Sequence, residues 1–370
     1  MSDLIIFCIL FTFVAVVMSI PQRRFIKFFS ALNFRGESNK RLPRYLSTKK
    51  LNNFLSKTEF KSRIPFERWE KIRPELELFY RKKIYDMKQS RENVRVLSIY
   101  FIDNPLPSYI EWRDNFMEEG SKFSIGEGYE GKEIWDVAAL PHGLIAGATG
   151  SGKTGVLRCI IHQAISKKWN VSVLDFKGGG DYNSIERESA KFRDLENGYG
   201  PILVTDPKEA LQLLVCLSVE VKGRLAAFKE IGVANIGEYN ASGNGHFVPW
   251  LLVIDEAAEI LDVKPKSKAE KEMYAEIDDI LRTLARISRA AGVHILMGFI
   301  RPDATVLDGQ IKNNLLWRMC GYFADPAASR IVLDNAKAVE LPPDIKGRFI
   351  VNDKEVQAYY LPVPKSVAKE

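Results

Sequence analysis

The chain has 370 residues, 46% hydrophobic and 27% charged, and this ordinary composition excludes wholesale disorder. The length allows one large α/β core and something smaller beside it. The net charge of +6 is local, because residues 21–63 carry twelve Lys or Arg and only two acids. Four cysteines without paired spacing fit a reducing compartment. Four scattered histidines argue against a zinc site.

The first predicted element is an apolar segment at residues 4–20, which contains no charged residue and is followed by Pro21. This is near the shortest length that crosses a bilayer. A cleaved signal peptide and a buried core helix are the alternatives. The basic run that follows marks its flank as cytoplasmic under the positive-inside rule. We therefore expect a single transmembrane helix within 1–21, with the rest of the chain in the cytoplasm.

Residues 22–64 alternate basic side chains with aromatic residues and leucines. We expect them to form a basic juxtamembrane linker. Lys and Arg beside a membrane attract anionic lipids, and the same composition can contact nucleic-acid phosphates. The third interpretation is that the run only fixes the orientation of the anchor. A helical stretch at 66–87, a strand at 94–102 and a short helix at 112–119 then predict a small α+β domain over 65–122.

From residue 123 we predict the main domain, 123–364, followed by a tail at 365–370. It opens with a hairpin and continues with strands that alternate with helices, a pattern typical of a doubly wound, mostly parallel α/β sheet. The predicted strands are 144–146, 169–176, 202–205, 250–254, 293–300, 316–323 and 349–361. The predicted helices are 156–167, 207–229 and 276–291.

Residues 142–155 read HGLIAGATGSGKTG, which contains the complete P-loop pattern between an apolar strand and a helix. In that setting the N–H groups at the start of the helix cradle phosphates. We expect Lys153 to reach the β- and γ-phosphates of ATP and the Thr154 hydroxyl to bind Mg²⁺. The predicted nucleotide-binding residues are Gly147, Ala148, Thr149, Gly150, Ser151, Gly152, Lys153 and Thr154.

Five apolar residues at 250–254 run directly into Asp255 and Glu256. Such a run is how a buried parallel strand presents a carboxylate at the carboxyl edge of a sheet. Asp255 is predicted to hold Mg²⁺, and Glu256 to orient and deprotonate the attacking water. The alternative for Glu256 is a carboxylate at a helix N-terminus. The sequence has no Asn-Lys-x-Asp guanine signature, so ATP is preferred over GTP.

The predicted helix 276–291 has an apolar face and, on its other side, a basic stripe. The apolar face comprises Ile277, Ile280, Leu281, Leu284 and Ile287, and the stripe comprises Arg282, Arg286 and Arg289. One interpretation is a solvated face on which Asp278 pairs with Arg282. The other is that one arginine reaches the γ-phosphate of a neighbouring subunit. The spacing alone leaves both open.

Five ordered strings resemble the motor of the FtsK/SpoIIIE family, over about residues 123–361. They are HGLIAGATGSGKT, LLVIDEAAEIL, SRAAGVHI, RPDATVLDGQIKNNLLWR and SRIVLD. The resemblance implies a RecA-like ATPase that forms a ring, usually a hexamer, and moves double-stranded DNA. Lys153 and Thr154 match its Walker A pair, and Asp255 and Glu256 its Walker B pair. Arg289 matches the arginine that the family supplies to a neighbouring subunit.

Three departures from the family pattern bear on function. Ile300 stands where the family usually has a polar glutamine. Because nine residues follow residue 361 in this sequence, we expect the protein to act without the winged-helix DNA-reading module of the chromosomal translocases. At most one membrane span is predicted, where those proteins have several.

These features together predict a membrane-anchored, ATP-driven DNA translocase that serves as the coupling protein of a Gram-positive conjugative element. Its expected partners are DNA, held through the phosphate backbone, further copies of itself, a relaxase and transfer-channel proteins. One alternative is a chromosome-partition or sporulation pump. Another is a type VII-like protein-secretion ATPase, whose motors can show the Lys-Gly-Gly-Gly string present at 177–180. A third is a degenerate ATPase that serves as a scaffold.

Overall fold

The computed structural model describes residues 22–37, 40–178, 180, 182, 202–307 and 309–362. The chain divides into two compact units, the first running to Leu106 and including Tyr129–Gly131, the second comprising Pro107–Gly128 and the residues from Lys132 onward. Within the described ranges, no helix is long and apolar enough to cross a membrane. The predicted anchor at 1–21 and the tail at 365–370 lie outside those ranges.

The first unit combines helices with a four-stranded antiparallel sheet in the order β1-β2-β4-β3. Its elements are α1 (22–31), β1 (Arg44–Lys50), β2 (Leu55–Lys61), α2 (Phe66–Lys71), α3 (Arg73–Tyr80), β3 (Ile84–Gln89) and β4 (Val96–Ile102). This unit is the α+β structure that the sequence predicts, but it begins earlier in the chain.

The predicted linker at 22–64 is corrected by the structure, because its described residues form α1, β1 and β2. Its aromatic side chains are the core of the unit: Phe29 is fully buried and packs edge-on against Trp69, with ring centroids 5.4 Å apart. Phe34 contacts the same indole at 5.0 Å. Aromatic residues alternating with bases are the pattern of elements with one buried face and one solvated face. The segment 22–64, whose composition predicts a linker, is therefore part of the folded first unit.

Two further boundaries also differ from the expectation. The predicted helix at 66–87 is two short helices, α2 and α3, followed by β3. The residues from Pro107 to 122 belong to the second unit, because β5 (Ile110–Glu111) pairs with the last strand of that unit. The expected helix at 112–119 is a single 3₁₀ turn, Asp114–Phe116.

The second unit is a mixed α/β structure built on a large sheet. Its remaining strands are β6 (Lys122–Gly128), β7 (Gly131–Asp136), β8 (Gly143–Ala146), β9 (Asn170–Leu174), β10 (Ile202–Val204), β11 (Trp250–Ile254), β12 (Val293–Phe299), β13 (Trp317–Gly321), β14 (Arg348–Val351) and β15 (Lys354–Tyr360). Its helices are α4 (Lys153–Ser166), α5 (Pro207–Ile231), α6 (Ile236–Ala241), α7 (Ala258–Leu261), α8 (Lys268–Ile287), α9 (Gly309–Lys312) and α10 (Pro326–Leu333), with a 3₁₀ turn at Lys337–Glu340.

The strand order is β10-β9-β11-β12-β8-β13-β14-β15-β6-β7, with β5 beside β15. The pairs from β10 to β13 are all parallel. The pairs β13–β14, β14–β15 and β15–β6 are antiparallel. The predicted strand at 349–361 is thus the hairpin β14–β15, which turns at Asn352 and Asp353, both at positive φ.

Helices cover both faces of this sheet, as the doubly wound prediction requires. Leu252 and Ile254 of β11 lie in one buried cluster with side chains of α5 and α8, while Leu251 and Val253 lie in another with side chains of α4. This alternation places successive residues of one strand on opposite faces. The parallel strands therefore carry their loops to one carboxyl edge, where the predicted site residues lie.

Candidate active site

The P-loop joins β8 to α4 and is shaped by its glycines. Gly150 and Gly152 have φ of +86° and +99°, which side chains other than glycine rarely adopt. A Cβ built on Gly152 would lie 2.8 Å from the nitrogen of Gly347. The N–H of Gly347 donates to the carbonyl of Ser151 at 2.8 Å. The loop before β14 therefore braces the P-loop through backbone contact that a side chain would block.

The interior of the loop suits a phosphate group. The Oγ of Ser151 is buried and, in the part of the chain that the structure describes, has no hydrogen-bond partner. Buried hydroxyls without a partner are rare in proteins. The first N–H groups of the fourteen-residue α4 face the same loop. A phosphate oxygen would accept hydrogen bonds from both.

Lys153, Asp255 and Glu256, separated by about a hundred residues in the chain, meet at the carboxyl edge of the sheet. The Nζ of Lys153 donates to Oδ1 and to the main-chain carbonyl of Asp255, both at 2.5 Å. It lies 3.8 Å from Oε2 of Glu256. The exposed fractions of the three residues are 5%, 4% and 6%. Charges this deeply buried are stable only when they are paired, and here each acid faces the lysine.

Glu256 is held from two further sides. Its two carboxylate oxygens accept from the main-chain N–H of Ile300, at 3.1 and 2.9 Å. The Nζ of Lys177 lies 3.5 Å from its Oε2. In the sequence alone, Lys177 has no evident role and Ile300 stands for the loss of a polar side chain. The structure instead uses the backbone of Ile300. The position of Lys177 just after β9 could have indicated its role, because the carboxyl ends of parallel strands lie at the same edge of the sheet.

Gly298 permits the close approach of β12 to the acidic pair. A Cβ at this position would lie 2.2 Å from the carbonyl oxygen of Asp255 and 3.1 Å from the Nζ of Lys153. The first distance is far below any real carbon–oxygen contact, so the backbone of β11 or β12 would have to move. This glycine therefore keeps Lys153 and Asp255 in contact.

The predicted magnesium ligands are chemically suited to the ion. Thr154 lies half-buried in the first turn of α4, and Asp255 ends β11. Hydroxyl and carboxylate oxygens are ligands that Mg²⁺ accepts, with water and phosphate completing the shell. The described residues contain no group of three or more His, Cys, Asp or Glu that could hold a metal.

Arg289 is not part of this cluster, and its predicted place on a helix is corrected. The helix α8 ends at Ile287, and Arg289 lies exposed in the turn before β12, where its Nη2 donates to the carbonyl of Ala138 at 3.1 Å. This turn is at the amino edge of the sheet. The seven residues of β12 separate it from Ile300 by roughly 20 Å. Arg289 cannot reach its own subunit's P-loop.

The other two arginines of the basic stripe agree with the interpretation of a solvated helix face. Arg282 pairs with Asp278 at 2.9 Å, and Arg286 is exposed on the last turn of α8. Ile277, Leu281 and Leu284 are buried beneath them. The arginines of the helix itself therefore form a solvated face.

Comparison with known proteins identifies the relatives of this arrangement. The model of the FtsK/SpoIIIE family matches residues 113–249. The DNA translocases FtsK of Sporosarcina ureae and of Streptococcus pyogenes serotype M6 are 29% and 30% identical to the chain; each match covers 59% of this chain and 29% of the relative. The chain thus matches less than a third of the length of these curated relatives.

Two solved structures extend the comparison. The conjugation coupling protein TcpA of pCW3, solved with ATPγS, is 34% identical, with a TM-score of 0.67 over 92% of this chain and 95% of TcpA. The cytoplasmic domain of the type VII secretion ATPase EccC of Thermomonospora curvata is 24% identical, with a TM-score of 0.52 over 72% of this chain and 32% of EccC. The second match shows a shared fold only. These findings confirm the resemblance predicted from the motifs: the chain belongs to the FtsK/SpoIIIE family.

Proposed function

We propose that this protein is a membrane-anchored, ATP-driven DNA translocase that acts as a conjugative coupling protein. The observation that carries the proposal is the buried cluster of Lys153, Asp255 and Glu256 beside a complete P-loop. Such a cluster is typical of enzymes that hydrolyse nucleotides. That the protein acts on DNA is inferred from its relatives. The FtsK relatives are named DNA translocases, and TcpA, a conjugation coupling protein, matches this chain over nearly its whole length.

In this proposal the P-loop residues 147–154 bind the phosphates of ATP. Lys153, now paired with Asp255, turns toward the β- and γ-phosphates, which frees the Asp255 carboxylate. Thr154 and Asp255 would hold Mg²⁺, which neutralises charge on the phosphate oxygens. These shifts are small, because all the groups already converge on one edge of the sheet.

Glu256 acts as the base that takes a proton from the attacking water. The N–H of Ile300 fixes the orientation of its carboxylate through both oxygens. The Nζ of Lys177, 3.5 Å from Oε2 of Glu256, holds the same carboxylate from a second side. A glutamate held in this way is suited to hydrolysis and not merely to binding.

We further propose that the active form is a ring, with six subunits as the expected number. Arg289 would complete the site of a neighbouring subunit, since it cannot reach its own. DNA would be held through its phosphates, without sequence preference, as in motors that read only the backbone.

The membrane anchor at 1–21 belongs to the same proposal, together with a cytoplasmic motor and with relaxase and channel proteins as partners. Its support is the uncharged segment 4–20 and the basic residues after it. A wash in high salt tests the anchor, because screening removes lipid attraction by surface charge but not an inserted helix. Full release of the protein into the wash would contradict a membrane-inserted anchor.

The test of the function is ATP turnover by the purified full chain with and without DNA. We expect DNA to raise the rate of ATP turnover. The increase should be independent of DNA sequence and should become smaller as the salt concentration rises. The Glu256→Gln variant should show no turnover with or without DNA. A type VII-like secretion role is the second candidate, supported by the 177–180 string. It would be favoured if DNA had no effect while a secreted helical protein raised turnover.

A further inference from the structure

Two tyrosines form an exposed aromatic pair on the second unit. Tyr109 and Tyr360 are 54% and 40% exposed. Their ring centroids lie 5.6 Å apart with the planes inclined at 48°. Large aromatic rings usually bury most of their surface, so two of them adjacent and open to solvent suggest a contact surface for a ligand.

The pair lies beside the P-loop. Because β14 is antiparallel to both β13 and β15, β15 runs in the same direction as β8 and ends at the same carboxyl edge. Tyr360 is the last residue of β15. A Cβ built on Gly155, in the first turn of α4, would lie 3.5 Å from Cδ2 of Tyr360. The ring of Tyr360 therefore covers the turn that immediately follows Lys153 and Thr154.

The backbone holds both rings in place. Tyr360 pairs with Glu111 of β5, and its carbonyl accepts from the N–H of Trp112 at 2.8 Å. Tyr109 directly precedes β5. The neighbouring Tyr359 is buried, and its hydroxyl donates to Glu127 at 2.6 Å. The two strands thus fix the position of the exposed rings while leaving their faces accessible.

The sheet order sets the direction in which a bound nucleotide extends. Asp255 and Glu256 follow β11, which lies on one side of β8, and β13, β14 and β15 lie on the other. The terminal phosphate must face the two acids for hydrolysis. The nucleoside then extends from the opposite end of the phosphate chain, toward the end of β15. Gly155, which has no side chain, leaves room for the ring of Tyr360 beside that path.

We propose that the adenine base of ATP binds to Tyr109 and Tyr360, stacked on one ring and in edge contact with the other, because the two ring planes are inclined at 48°. The inference rests on the proposed nucleotide binding at the P-loop and adds the residues that bind the base. Aromatic stacking suits a purine because every base has a flat π face, and it tolerates either purine. The P-loop then supplies the contacts to phosphate, and the tyrosine pair those to the base.

The experiment compares a nucleotide with its phosphate portion alone. Binding of AMP-PNP and of inorganic tripolyphosphate, each with Mg²⁺, is measured by calorimetry on the full chain. In the double variant Tyr109→Ala/Tyr360→Ala we expect AMP-PNP to bind about tenfold more weakly, since stacking contributes about that much. Tripolyphosphate affinity should change by less than about twofold, which also shows that the P-loop is still folded.

Two control variants sharpen the comparison. The double variant Tyr109→Phe/Tyr360→Phe keeps both ring faces and should keep AMP-PNP affinity. Leu316→Ala truncates another exposed apolar side chain, next to the amino end of β13, and should affect neither ligand. Unchanged AMP-PNP affinity in the alanine double variant would overturn base binding by the tyrosine pair while leaving the proposed function intact. An equal loss for both ligands would also overturn it. Failure of the unaltered protein to bind either ligand would instead contradict the nucleotide site itself.

Discussion

At the scale of single residues, the account depends on separate roles for the lysine and the glutamate of the buried cluster. Lys153→Ala removes the charge that would face the phosphates, so we expect the Kd for ATP to rise by about tenfold or more. Glu256→Gln keeps the hydrogen bond from Ile300 and loses only the base. It should bind ATP normally and lose a factor of about 10²–10⁴ in turnover.

Nucleotide binding measured by calorimetry and turnover measured by phosphate release separate these two effects. Equal loss of ATP affinity in both variants would contradict the division of roles. Such a result would point to a structural function for the Lys153–Glu256 contact.

Gly298 offers a second prediction at this scale. Gly298→Ala places a Cβ 2.2 Å from the carbonyl of Asp255, so a strand must shift. We expect a loss of about 1–3 kcal/mol in the free energy of unfolding, together with reduced turnover. The matched control is Gly223→Ala, at an exposed position within α5 where a Cβ meets nothing within 4 Å. It should be neutral or add about 0.4–1 kcal/mol. Chemical denaturation of both variants makes the comparison, and equal stability would show that β12 adapts without cost.

Sequence patterns were informative about residues whose role depends on local context. The strand–loop–helix setting of the P-loop is enough to identify Lys153 as a candidate site residue. In the same way, an apolar strand that ends in two acids identifies Asp255 and Glu256. Lys177, the N–H of Ile300 and the pair Tyr109–Tyr360 could not be found in this way. Their contacts depend on which strands are neighbours, and the strand order is a property of the whole sheet.

At the scale of elements, the contrast between local sequence context and long-range packing also explains which predicted elements were right and which were wrong. The alternation of strands and helices from residue 123 onward was predicted because each parallel strand is a short apolar run between polar loops. The range 22–64 was misread because its many bases suggested a solvated segment. Four of its seven aromatic residues are buried, and Phe29 and Phe60 lie fully inside the first unit. Charge composition reports the outer face of an element, whereas the spacing of apolar residues reports whether it packs.

The amino ends of β8 and β12 give a prediction about pH. Burial, with His294 and Arg289 nearby, lowers the pKa of His142 to about 3. Burial lowers the pKa of His294 to about 4. Both are well below the value near 6.5 expected in the unfolded chain. Below that pH the unfolded state binds more protons, so stability is present above about pH 6.5 and is lost as the pH falls. At pH 5 the loss is about 2 kcal/mol for each histidine.

Denaturation at pH 7.5 and pH 5.0 tests this expectation. His294→Asn removes one of the two groups, and its amide can still donate to the carbonyl of Pro141 as the ring does. The variant should lose less stability on acidification than the unaltered protein. His246→Gln, at an exposed position, is the control and should leave the difference unchanged. The account fails if His294→Asn and the unaltered protein lose the same amount.

At the scale of the whole molecule, the position of Arg289 leads to a prediction about neighbouring subunits. It lies at the amino edge of the sheet, whereas its own P-loop is at the carboxyl edge. If it completes the site of an adjacent subunit, Arg289→Ala should bind ATP normally and lose roughly 10³–10⁵ in turnover. Arg286→Ala, at an exposed arginine four residues after the paired Arg282 of α8, is the matched control and should keep its activity.

Mixing variants distinguishes a role between subunits from a role within one. Arg289→Ala mixed with Glu256→Gln should recover part of the activity, because some interfaces then pair an intact glutamate with an intact arginine. Native mass measurement confirms that mixed rings have formed. No recovery in confirmed mixed rings would assign Arg289 to the structure of its own subunit.

The central claim is that ATP hydrolysis moves DNA, and the most direct test is displacement of streptavidin from the biotinylated end of a DNA molecule. Single-stranded and double-stranded DNA are both used, with the full chain in detergent. We expect release that requires ATP, is independent of DNA sequence, and is absent with Glu256→Gln. ATP hydrolysis raised by DNA but without any release of streptavidin from either substrate would contradict the claim that this protein is a translocase.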